Sequence, residues 1–112
     1  MASKENVVRL TETEISVIKE AIYGRFRSVG RVILFGSRVD DGKRGGDIDI
    51  LVESDEPIEA GVLHKLEALS DMHLRLGERK IDFVLARSPG SEEDRRDGRR
   101  IVRIARETGI AL

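Results

Sequence analysis

Three short apolar runs divide this chain, and two of them carry carboxylates where a buried strand should have none. The runs lie in Arg31 to Phe35, Asp47 to Glu53 and Lys80 to Ala86, and each reads as a strand. The second contains Asp47-Ile48-Asp49-Ile50-Leu51-Val52. Alternate residues of a strand point to one side, so Asp47 and Asp49 share a face while Ile48 and Ile50 take the other. Two carboxylates held that close raise each other's pKa unless a cation lies between them. A hard divalent ion such as Mg²⁺ meets that need, because it takes carboxylate and phosphate oxygens together. Asp82 in the third run can face the same way if the two strands are neighbours. Isolated acids inside apolar strands are uncommon, which sets these three apart from ordinary surface carboxylates.

The segments between the runs read as helices. Thr11 with Glu14 forms a capping box, and Ile15, Ile18, Ile22 and Phe26 make one apolar stripe through a helix expected over Thr11 to Ser28. A second helix is expected from Pro57 to about Leu76, with Leu63, Leu66, Leu69, His73 and Leu76 in line and Gly77 ending it. A third is expected from the Ser91 cap to Glu107 or Thr108, with Ile101, Ile104, Ala105 and Thr108 inward. The order predicts a single α/β (α+β) domain over residues 1–112: a small mixed sheet of about three strands, covered by helices on one face. The other face would carry the aspartates and stay open.

Composition narrows the partners. The formal net charge is -1, and aromatics make up 4% of the chain, so neither a basic field nor a stacking platform points to nucleic acid. No cysteine is present, which removes disulfides and thiolate metal sites. Met1 to Asn6 is polar with no apolar stretch behind it, so a cytoplasmic location without a membrane span is expected. The arginine-rich run Asp94 to Arg100, continued by Arg103 and Arg106, reads first as a solvated face and second as a docking surface for an acidic partner. His64 and His73 fall on opposite sides of their helix and cannot share a metal. Tyr23 reads as helix packing.

The remaining signal is Gly36-Ser37, which closes the first strand ahead of a loop holding Gly42, Gly45 and Gly46. A glycine-led turn exposes backbone N–H groups that can cradle a phosphate. Leu34-Phe35-Gly36-Ser37-Arg38, the glycine loop, Asp47-Ile48-Asp49-Ile50-Leu51-Val52 and Ile81-Asp82 together resemble the minimal nucleotidyltransferases of the DNA polymerase β superfamily, with a motif core over about 31–86. The resemblance implies that Gly36, Ser37 and Arg38 bind the nucleotide. It also implies that Asp47, Asp49 and Asp82 hold two Mg²⁺ ions and carry the catalysis. Nine residues separate Ser37 from Asp47, one fewer than the family usually has, and Gly46 stands where a polar residue is common.

Small members of that superfamily pair with a helical HEPN ribonuclease toxin and transfer AMP from ATP to one of its tyrosines. The resemblance therefore implies an adenylyltransferase acting as the antitoxin of such a pair, working in a homo- or hetero-oligomer. Its rivals are an antitoxin that neutralises its partner by contact alone, and a transferase acting on a small molecule or RNA.

Overall fold

The structure is a computed structural model and describes residues 10–36 and 47–112. Helix α1 is Glu12–Tyr23, strand β1 Val32–Phe35 and strand β2 Ile48–Glu53. Helix α2 is Ile58–Leu76 and strand β3 Ile81–Ala86. Helices α3 (Glu92–Arg96) and α4 (Arg100–Thr108) follow, then strand β4 (Ile110–Ala111). The sheet is mixed, in the order β3-β2-β1-β4. β2 pairs antiparallel with β1 and parallel with β3, the parallel pair being joined through α2.

The capping box forms as expected: Glu14 N donates to Thr11 Oγ1 at 3.0 Å, and Thr11 N donates to Glu14 Oε1 at 2.9 Å. Gly24 ends α1 earlier than the apolar stripe suggests, although Phe26 beyond it stays buried. Tyr23 is 49% exposed, not packed as expected. Ile18 and Ile22 of α1 and Ala68 and Met72 of α2 bury one sheet face with Leu34, Ile48, Ile50 and Val52.

The α2 stripe expected from the sequence holds in part: Leu69 and Leu76 pack against the core, while His73 is exposed. Leu63 and Leu66 are more than half exposed, while Gly61, Ala68 and Met72 face inward. Ala68 and Met72 sit on the face of α2 turned to the core, and Leu63 and Leu66 lie off that face.

The second sheet face is not left open. Val102 and Ala105 of α4 pack on Ile33, Phe35 and Leu51, so helices cover both faces. The expected single C-terminal helix is broken at Asp97 and Gly98. Asp97 there accepts from Arg99 N at 3.1 Å and from the Arg99 guanidinium. Ile101 and Ile104, expected inward, are 44% and 39% exposed. A fourth strand follows at once. A Cβ on Gly109 would lie 2.4 Å from Ile33 Cγ2 and 2.8 Å from Leu34 O, so a glycine is what lets α4 hand over to β4 beside β1. Ile110 then pairs with Leu34, and Ala111 with Ile33.

Part of the arginine run is structural. Arg106 donates to Glu53 Oε2 at 2.8 Å, to Asp94 Oδ1 at 2.6 Å and to the Arg87 carbonyl at 2.8 Å. Arg31 grips the same Glu53 carboxylate through both oxygens, each at 2.7 Å. Glu53 is 1% exposed, so this is a buried charge with two cationic partners. Arg100 and Arg103 remain solvated. Among the described residues, no helix is long and apolar enough to cross a membrane.

Candidate functional site

The β2–β3 register places Asp49 directly opposite Asp82. Parallel neighbours in register point their side chains to the same side, so the two carboxyls meet at the amino ends of these strands. Asp47 stands one residue before β2, shares the parity of Asp49 and is exposed. Lys80 stands just before β3, and its carbonyl accepts from Ile48 N at 2.9 Å, which ties the starts of the two strands together.

Burial pushes the Asp49 carboxyl up to about 6, helped by a hydrogen bond with Asp82 and by the charges of Asp82 and Asp47; Lys80 pulls the other way. The cluster is therefore short of positive charge. Among the described residues, no three His, Cys, Asp or Glu side chains close into a ready-made metal cage. Asp49 and Asp82 form the contact pair, and Asp47 acts on Asp49 through charge repulsion alone. The donors are carboxylate oxygens only. That set fits a hard cation such as Mg²⁺ and excludes a soft, thiolate-type site.

Gly36 backs this pair. Its φ is +81°, and a Cβ built there would lie 2.3 Å from Asp49 Oδ2 and 3.2 Å from Asp49 Cγ. Gly36 is expected from the sequence to bind phosphate. The fold adds that its missing side chain makes room for the Asp49 carboxyl, a role visible only once Phe35 is known to pair with Asp49. Gly36→Ala is therefore expected to cost roughly 1–3 kcal/mol through its left-handed backbone and to displace Asp49. Thermal melts would read the first effect, and the chemical shifts of Asp49 the second. A variant that melts with wild type and leaves those shifts unmoved would refute the close approach.

Ser37 and Arg38, the other two nucleotide-binding candidates, lie outside the described residues, as do Lys43 and Arg44 of the glycine loop. His64, set aside as a ligand from its spacing, instead bridges two carboxylates, Glu56 at 3.3 Å and Glu67 at 3.4 Å. His73 Nε2 lies 3.0 Å from the Arg79 carbonyl.

No curated protein matches this sequence. A family model described as a nucleotidyltransferase domain matches residues 15–111, nearly the whole fold from α1 to β4. The chain belongs to the nucleotidyltransferase domain family.

Proposed function

We propose that this protein is a Mg²⁺-dependent adenylyltransferase that moves AMP from ATP to a hydroxyl of a helical partner protein, as the antitoxin of a HEPN-type toxin pair. The observation that carries the reading is the Asp49–Asp82 register pair beside Gly36. Asp47, Asp49 and Asp82 would hold the cations, and Gly36, Ser37 and Arg38 would receive the triphosphate. Bound Mg²⁺ supplies neutralisation of the phosphate charge and makes the acceptor hydroxyl more acidic.

Asp82 is the residue assigned to accept the hydroxyl proton. The acceptor oxygen forms a bond to the α-phosphorus as the bond from that phosphorus to the β-bridging oxygen breaks. Pyrophosphate leaves with the electron pair. Asp49, the more buried of the pair, would hold the cations together with Asp47. The chain supplies the donor half of the reaction, and the acceptor comes from the partner.

Incubation with labelled ATP, Mg²⁺ and the HEPN-type partner is expected to label the partner with AMP, and loss of label with Mg²⁺ removed should follow. Absence of label with all three present would overturn the proposal. ATP is expected to bind weakly in metal-free buffer and clearly more tightly with Mg²⁺, since clustered carboxylates repel a triphosphate until a cation intervenes. Calorimetry giving equal affinity in both buffers would count against the metal assignment.

A further inference from the structure

We propose that Lys80 is a substrate-binding residue of the transfer reaction, its ammonium holding a non-bridging oxygen of the nucleotide's α-phosphate. The inference rests on the transfer reading above for the point of attack. Ile48 pairs with Ile81 and Asp49 with Asp82, and the bond from Ile48 N to the Lys80 carbonyl, at 2.9 Å, carries the ladder one step further. That step sets Lys80 across from Asp47. Lys80 shares the parity of Asp82, as Asp47 shares that of Asp49, so all four side chains leave the sheet on one side. Asp47 and Lys80 form an outer row, both exposed, and Asp49 and Asp82 a second row roughly 7 Å further along the strands.

An exposed lysine at the start of a strand is ordinarily a solvated charge. Three features set this one apart. Its backbone is held from three elements: β2 donates to its carbonyl, the Arg79 side chain before it reaches Glu14 of α1 at 2.6 Å, and the Arg79 carbonyl lies 3.0 Å from His73 Nε2 of α2. Its side chain is uncommitted, since among the described residues Arg79 is ion-paired and Lys80 is not. Its charge nonetheless reaches the acid cluster. Among the described residues acting on Asp49, Asp82 and Asp47 contribute negative charge and Lys80 the positive one.

The direction of the reaction decides which phosphate Lys80 meets. β2 lies between β1 and β3, so Gly36 and Lys80 flank the start of β2 on opposite sides. The acceptor oxygen attacks the α-phosphorus and gives its proton to Asp82, which draws that phosphate to the β3 side. The β- and γ-phosphates then extend toward Gly36. Lys80, two residues ahead of Asp82 and on the same side, is left beside the α-phosphate. A compact ammonium on a long, flexible stem suits a phosphate oxygen as a point charge. There it offsets negative charge on the group being transferred, in a cluster short of positive charge.

The test compares two probes by calorimetry on the full chain in Mg²⁺ buffer. One is an ATP analogue with a methylene bridge between its α- and β-phosphorus, which cannot be cleaved there. The other is pyrophosphate, which lacks the α-phosphate. Lys80→Met is expected to weaken the analogue by about tenfold or more and to leave pyrophosphate within about twofold of wild type. Lys80→Arg keeps the charge and should restore analogue binding. Both variants keep the Lys80 carbonyl, so the link between β2 and β3 is preserved. An equal loss for both probes would mean a diffuse field without a contact at the α-phosphate, and no loss for either would mean no contact; each overturns the proposal. Wild type that binds neither probe would overturn this proposal and the transfer reading together. Wild type that never labels the partner, with the difference between probes intact, would sink the transfer reading alone. Partner labelling by Lys80→Met at the wild-type rate would sink this one alone.

Discussion

Asp49→Asn is expected to abolish AMP transfer while raising the melting temperature of the metal-free protein. Loss of the carboxylate removes the group at the centre of the acid cluster, and the rate should fall by on the order of a thousandfold or more. The stability effect has the opposite sign. In the folded chain the Asp49 carboxyl titrates at about 6, against an ordinary value of 3.8. A carboxyl whose folded pKa is raised favours the native state only while protonated. That contribution is complete below about pH 4 and is lost as pH rises through about 6. Two units correspond to roughly 3 kcal/mol at most, and because Asp49 is only half-buried, about 1 kcal/mol is the better expectation at neutral pH. The amide cannot ionise, so the variant should keep what wild type loses. Melts from pH 4 to 7 without metal should show the two proteins diverging as pH rises. Mg²⁺ should then narrow the gap by stabilising wild type. A variant that labels its partner at the wild-type rate, or a gap that does not depend on pH, would refute the assignment.

Glu53→Ala is expected to be the most damaging single change outside the acid cluster. It strips the shared partner from Arg31 and Arg106, and breaking a buried ion pair from one side costs about 3–5 kcal/mol. In a domain of this size that is a fall of about 15 °C or more in melting temperature. Arg106→Met should cost less, because Arg31 still holds the carboxylate. Burial by itself would raise the Glu53 pKa, but the hydrogen bonds and charges of Arg31 and Arg106 outweigh it and hold the group below its ordinary 4.5. The stabilisation it provides is therefore present above pH 4.5 and is lost as pH falls below that value. Wild type should lose stability steeply in acid, and Glu53→Ala should show a shallower slope there. Guanidinium melts across pH 3–6 would test this, and parallel slopes would refute it.

The acid pair was legible because strand parity is a strict two-residue rule, and two runs with matching acids need only be neighbours for those acids to meet. The capping box was legible for a similar reason, being local. What failed depended on how elements approach one another. Leucine outranks alanine and glycine in hydropathy, so Leu63 and Leu66 looked like the inner face of α2. The way α2 sits on the sheet instead buries Gly61, Ala68 and Met72. Ile101 and Ile104 misled in the same way, since α4 presents Val102 and Ala105 to the second face. Arg106 belonged by composition to a solvated run, and only the arrival of Glu53 from β2 turned it inward. β4 is two residues long, too short for any alternation to register.

The β1–β2 ladder has one more consequence, for how such a protein can diversify. Phe35 is clamped opposite Asp49, and three further pairs run on to Val32 with Val52. Both ends of the segment 37–46 are thereby anchored in fixed register. A change of length between those anchors is expected to leave Asp49 opposite Asp82. The position of Asp49 is set by strand pairing on both sides, with Phe35 on one and Asp82 on the other.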